Sequence, residues 1–425
     1  MISNFLYFYN IVFLLLTTFI FIKSFNSIIN YRCNTIADYV ICLIYAFNCV
    51  PVLCDITIGI PDYVYWYKVF EASVINENVS LVYNIYVALS MIVLCLYKNR
   101  KANEFNHIRS IKSETENCSK GRISKLITNI LIVFPILYCF AKYGINIFLQ
   151  YTSLSARGIE DSYLINFFIS VSSYYAVTRF VKKNKKSFID YLFFTIYLLL
   201  IVVINGKRYI IITLLVMMIF IYEQWSQYRL SSKRLNLKVL YTLITVFIIS
   251  FSFYYFATVR SENAMSENMY ATIRVDFGRD DVTKFVIDRE LFQNKPILDY
   301  AGQTALSTIF IWVPRSLWPN KPYPHYRYLT SAILGVNIDD LPAGTTPSIY
   351  EQNIANFGIM GIFVTCIILV YICKWADNSN STNYKLLILL LLINLLTQAI
   401  DMALPILLLM VVNIISKRMS NKIIN

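Results

Sequence analysis

Apolar runs long enough to cross a membrane recur along almost the whole chain, and they constrain its fold more than any motif does. A helix needs about 20 apolar residues to span the hydrocarbon core of a bilayer. Such runs lie at 5–22, 38–54, 79–97, 126–149, 163–181, 188–204, 209–222, 239–257, 354–373 and 384–399, and a last one, 402–416, follows Asp401 and contains Pro405. The pattern predicts an all-α polytopic membrane protein with about eleven transmembrane helices. Charged residues make up only 15% of the chain, against about 25% in soluble domains. The first run follows no basic stretch and ends without a small-residue cleavage site, so it reads as a retained span.

Basic clusters set the sidedness. Residues 98–125, 182–186 and 229–238, Lys374, and Lys417 with Arg418 all follow alternate spans. The positive-inside rule puts them on the cytoplasmic side. The loop 55–78, with Asp55, Asp62, Glu71 and Glu77, then falls outside. A net charge of +13 is ordinary under this rule and is no sign of nucleic-acid binding; the expected partner is the lipid bilayer. The chain divides into membrane helices over 1–257, a large external loop with short helices over 258–353, and C-terminal membrane helices over 354–425. Nine cysteines without a Cys-x-x-Cys pair read as buried apolar side chains rather than a metal or disulfide set.

The external loop holds seven of the eleven prolines and many aromatics, which is not a disordered composition. Its stretch IFIWVPRSLWPNKPYPHYRYL (309–329) fixes basic and aromatic side chains between four prolines. Arg315 and Lys321 can pair with phosphate, and His325 can exchange protons near neutrality. Tryptophans and tyrosines suit a membrane interface and also offer flat faces to sugar rings. The hairpin Gly206-Lys207-Arg208 is an interfacial anchor or an anion site. In RVDFGRDDVTKF (274–285), Asp280 and Asp281 fit a helix start better than a metal site, and Arg279 beside them can face an anion. Glu351, in AGTTPSIYEQNIANFGIMG (343–361), is an ion-pair partner or a general base, with Thr345 to Ser348 available to cap its helix.

The GKR turn, VPRSLWPNKP and TPSIYEQNIANFG, in that order and on one side, resemble the O-antigen or oligosaccharide repeat unit polymerases (Wzy-type). The resemblance implies a GT-C-like glycosyltransferase of the bacterial inner membrane with its active site on the periplasmic face. Donor and acceptor would be undecaprenyl-diphosphate-linked oligosaccharides, with a chain-length regulator as a further partner. It implies diphosphate binding by Lys207, Arg208, Arg279, Arg315 and Lys321, a base at Glu351 or else His325, and a glycan path along Trp318, Tyr323 and Tyr326. No cofactor or metal enters this scheme. The rival readings are an O-antigen ligase and a lipid-linked oligosaccharide flippase.

Overall fold

A computed structural model describes residues 4–29, 35–63, 65–108, 122–148, 161–182, 187–206, 209–227, 278–310, 313–341, 344–379, 381–398 and 406–411, with positions 154, 270, 274 and 403. Among these residues the protein is all helix, with no strand. Among the described residues, four helical rods are both long and apolar enough to cross a membrane: Phe5–Ile29, Ala37–Thr57, Glu77–Lys101 and Ile349–Asp377. Shorter apolar helices occupy Thr128–Tyr143, Ile189–Asn205 and Thr382–Thr397. The expected span 239–257 and most of 402–416 lie outside the described residues.

Helix α1 (Asn4–Ile29) packs on α2 (Ala37–Ile44) and on α5 (Glu77–Ile108). It turns Phe5, Leu15 and Phe19, each 69% exposed, away from the bundle, as a lipid-facing stripe does. Between α2 and α3 (Val50–Thr57) the rod widens into a π-turn over Tyr45–Cys49. Pro51 follows, and it has no N–H to offer the Phe47 carbonyl four residues earlier. Helices α4 (Glu71–Ile75), α6 (Arg122–Tyr143), α7 (Ser162–Lys182), α8 (Phe188–Asn205) and α9 (Tyr209–Gln227) follow in order. Gly206 closes α8 in the left-handed conformation (φ 62°) with its N–H on the Val202 carbonyl, the local reason for the sharp turn read at 205–208.

The described part of the long insertion holds the short helices α10 (Asp280–Ile287), α11 (Gln303–Ile309) and α12 (His325–Leu334), joined by turns and irregular chain. The rod that follows is α13 (Ile349–Phe357), a 3-10 turn at Gly358–Met360, and α14 (Gly361–Asp377). Gly358 allows the break with φ 55°. The helix therefore begins more than a turn before residue 354, where the apolar run alone predicts it. Helix α15 (Thr382–Thr397) packs on α14 and α9.

Polar contacts tie the loops into two opposite ends of the bundle. At one end Lys98 pairs with Asp38 and reaches Ser24 Oγ at 3.3 Å. There Asp377 accepts from the Ile36 amide at 2.9 Å and the Tyr97 hydroxyl at 2.8 Å. At the other end the insertion meets the connection after α3. Tyr270 donates to the Gly59 carbonyl at 2.6 Å, and Ser73 to Asp288 Oδ2 at 2.9 Å. The loop 58–76 and the insertion thus share one end, and the basic residues 98–101 and Lys374 the other, as the alternation of basic loops predicts.

Candidate functional site

A carboxylate at the end of an apolar helix is costly unless paired, and Asp55 sits at the end of α3. Arg274 answers it side-on, Nε to Oδ1 at 2.7 Å and Nη2 to Oδ2 at 2.6 Å. End-on, the same guanidinium grips Asp280, Nη1 to Oδ1 at 2.9 Å and Nη2 to Oδ2 at 2.7 Å. Nη1 also lies 3.2 Å from Asp281 Oδ1, an ion-pair contact without a hydrogen bond. Four of the five donors of the fork are then used. Lys284 Nζ lies 3.0 Å from Asp280 Oδ2 and stands over the Tyr83 ring at 5.2 Å. Every charged member of this group is buried. Gly278 is required beside it, since a Cβ there would fall 2.5 Å from Arg274 Nη1 and 2.9 Å from Asp280 Oδ1.

The tandem aspartates therefore differ. Burial opposes ionisation of Asp280, but Arg274 and Lys284 outweigh it and hold the carboxyl at about 2. Burial pushes Asp281 up to about 7, with Asp280 and Asp55 adding to the rise against the pull of Arg274. Helix α10 starts at Asp280, as the sequence predicts, yet no side chain caps it. Asp280 is bound by two cations instead, and the cluster is a structural clasp in which both cations are turned onto buried carboxylates.

Arg279 points to a different neighbourhood. Its backbone N–H donates to the Phe47 carbonyl at 3.0 Å, the one that Pro51 cannot serve. Its Nη1 reaches only the Thr346 carbonyl, at 3.5 Å, and its buried Nε has no partner. Burial lowers its pKa from the ordinary guanidinium value, with nearby Glu351 acting the other way. Glu351 closes a capping box at the start of α13, its carboxylate accepting from the Ser348 N–H and hydroxyl while the Ser348 hydroxyl accepts from the helix backbone. Thr283 Oγ1 lies 2.8 Å from the Arg279 carbonyl and 3.1 Å from Glu351 Oε2, and links the two. The structure thus brings Arg279 and Glu351 together, with both Glu351 oxygens engaged by the cap.

His325 opens α12 and is 4% exposed. Its Nδ1 lies 3.4 Å from Thr304 Oγ1, and Nε2 has no partner. Burial takes its pKa down to about 3, so the ring is neutral at physiological pH and does not titrate near neutrality, as the sequence alone suggests it can. Thr304 in turn belongs to a network run by Asn356. That side chain accepts from the Thr304 and Ala305 amides at 3.0 and 3.1 Å and donates to Thr304 Oγ1 at 2.7 Å. It caps α11 from another helix, because Gly302 at the cap position has no side chain to do so.

The proline-rich stretch forms a third group. Arg315 lies over the Tyr323 ring at 4.1 Å and Arg327 over the same ring at 4.5 Å. The two guanidiniums cannot lie farther apart than those distances combined. Arg315 Nη2 reaches the Pro322 carbonyl at 3.3 Å. Among the described residues, neither arginine has a carboxylate partner. Tyr323 is pinned by its hydroxyl to Asp339 Oδ1 at 2.7 Å. Lys321 Nζ bonds the Val313 carbonyl at 3.0 Å, and Trp318 packs edge-on against Phe310. Tyr326 faces Gly344, where an added Cβ would sit 3.0 Å from the ring.

No family model, curated protein or solved structure matches this chain.

Of the residues singled out in the sequence, Arg315, Lys321, Trp318 and Tyr323 share the proline-rich group, while Arg279 and Glu351 share the start of α13. Lys207 and Arg208 lie outside the described residues. Sequence reasoning passes over Arg327, although it stands in the same stretch, and over Arg274. Asp55, an acid at the end of an apolar run, needs a partner, but nothing near it in the sequence names Arg274, 219 positions away. Among the described residues no group of three His, Cys, Asp or Glu side chains is arranged to hold a metal ion.

Proposed function

We propose that the chain is a membrane glycosyltransferase that joins undecaprenyl-diphosphate-linked oligosaccharide units into O-antigen or capsular polysaccharide on the periplasmic face of the inner membrane. The observation that carries this reading is the pair Arg315 and Arg327 on one pinned tyrosine. Neither guanidinium has a carboxylate partner among the described residues, and a planar fork is matched to phosphate oxygens. A diphosphate would supply the missing negative charge, and the aromatic surroundings suit the sugar it carries. The group lies in the insertion, at the bundle end away from the basic residues 98–101, which the positive-inside rule makes the outer end.

In the reaction an acceptor hydroxyl oxygen attacks the anomeric carbon of the donor sugar. The bond from that carbon to the diphosphate oxygen breaks, and the diphosphate leaves with the electron pair. Arg315, Arg327 and Lys321 offset the growing negative charge, with Arg279, Lys207 and Arg208 as further cations of the same role. The hydroxyl proton goes to a base. Glu351 has both oxygens in its capping box, which favours His325, whose Nε2 is bare and which stands two residues from Arg327. Negative charge arriving on Arg327 would raise the imidazole pKa and make it a better acceptor. Trp318, Tyr323 and Tyr326 flank the glycan in this scheme.

The test is the surface glycan of a deletion strain carrying single and double alanine variants of Arg315 and Arg327. Each single variant should slow unit transfer by about a hundredfold and leave glycans of one repeat unit on a protein that still inserts. A full ladder in the double variant would overturn the reading. Loss of every glycan-bearing species would point to a ligase or a flippase. Replacing His325 by Gln and Glu351 by Gln separately identifies the base by which one abolishes the ladder.

A further inference from the structure

We infer that Asp281 is a proton-binding site: its carboxyl holds a proton in the resting fold, and losing that proton loosens the segment 278–292 from the bundle. Counting charge leads there first. The buried cluster has three carboxylates, Asp55, Asp280 and Asp281, and two cations, Arg274 and Lys284. One negative charge is left over, and burying an uncompensated charge is costly enough that the group neutralises instead. Geometry says which group. Asp55 and Asp280 each take two arginine hydrogen bonds. Asp281 has the single longer contact to Nη1, and its buried Oδ2 has no partner at all. A proton on that oxygen removes the surplus charge and leaves Oδ1 free to accept from Tyr63, at 2.9 Å.

The other groups facing this segment do not remove the surplus. From α5, Tyr83 meets Lys284; from α13, Glu351 lies on the Arg279 and Thr283 side and adds no positive charge. A rise in the folded-state pKa to about 7 agrees with the count. Because that value lies above the ordinary 3.8, the folded state keeps its proton longer than the unfolded chain does. The contribution to stability is complete below the unfolded value and is lost as the pH climbs through the folded one.

The experiment follows the melting temperature of the full-length protein in detergent between about pH 5 and about pH 8. The wild type should lose stability as pH rises, and Asp281→Asn, which keeps the shape and the acceptor for Tyr63, should reduce that slope both in the wild-type and in the Glu351→Gln background, Glu351 being another buried carboxyl that touches this segment. A slope unchanged in Asp281→Asn, or a flat wild-type profile, overturns the inference. Should Asp281→Asn fail to fold, pH-difference infrared spectra of the wild type take its place. A protonated-carboxyl band that disappears on raising the pH through about 7 and persists in Glu351→Gln supports the site, and no such band in Glu351→Gln refutes it. Asp55→Asn, which removes the surplus charge, should move the wild-type transition to lower pH by about one unit, and an unmoved transition refutes the charge count.

Discussion

At the scale of single residues, Arg274 and Gly278 belong together: the guanidinium takes up the space a side chain at 278 would need. Gly278→Ala should therefore displace Arg274 and behave like Arg274→Met, which leaves three carboxylates without their shared partner. Removing one member of a buried ionic group costs about 3–5 kcal/mol, so both variants should fall well below wild type in thermal unfolding while surface substitutions such as Lys295→Ala do not. Little of this could be read from the sequence. Arg274 meets Asp55 across 219 positions, and nothing in the spacing of either residue points to the other. The basic aromatic stretch was easier to read because its partners are local. Arg315, Lys321 and Tyr323 lie within a few residues of one another, and the prolines between them announce a fixed backbone. Arg327 was overlooked because a helix, not a loop, brings it back over Tyr323.

Among the elements, the helix starts were the most legible and the breaks the least. Ser348 stands three residues before Glu351, the spacing of a capping box, and the structure forms that box. Ser348→Ala should destabilise α13 by about 1 kcal/mol, measured as a lower unfolding midpoint, and should also free Glu351 and so change Arg279's surroundings. By contrast α11 has a glycine where a cap belongs, and only the fold reveals that Asn356 supplies the missing acceptor. The interruption at Gly358 is equally hidden, because an apolar run carries no mark of where its backbone turns. The same limit applies to the spans. Hydrophobicity located helices at 163–181 and 209–222, but among the described residues length and apolar character together single out four rods.

Over the whole molecule, the two bundle ends carry different chemistry. One is closed by Lys98, Asp38 and Asp377; the other supports the insertion with its arginines and tyrosines. The arrangement predicts that residue 110 and residue 300 lie on opposite sides of the membrane. A periplasmic reporter fused at 300 should be active and one at 110 silent; activity at 110 would reverse the orientation. That residues 98–101 and the insertion belong to opposite bundle ends was legible because basic clusters recur after alternate spans, a long-range regularity that does not depend on any single helix. How the insertion is fastened was not legible, since it depends on the π-turn before Pro51. A flawless rod would have used the Phe47 oxygen internally; here the imperfection becomes a socket into which the Arg279 amide plugs. Pro51→Ala offers the rod a way to mend itself, and a mended rod would release its passenger, exposing 278–292 to added protease. The insertion is thus moored to a defect, and the proline that spoils the helix keeps that layer in place.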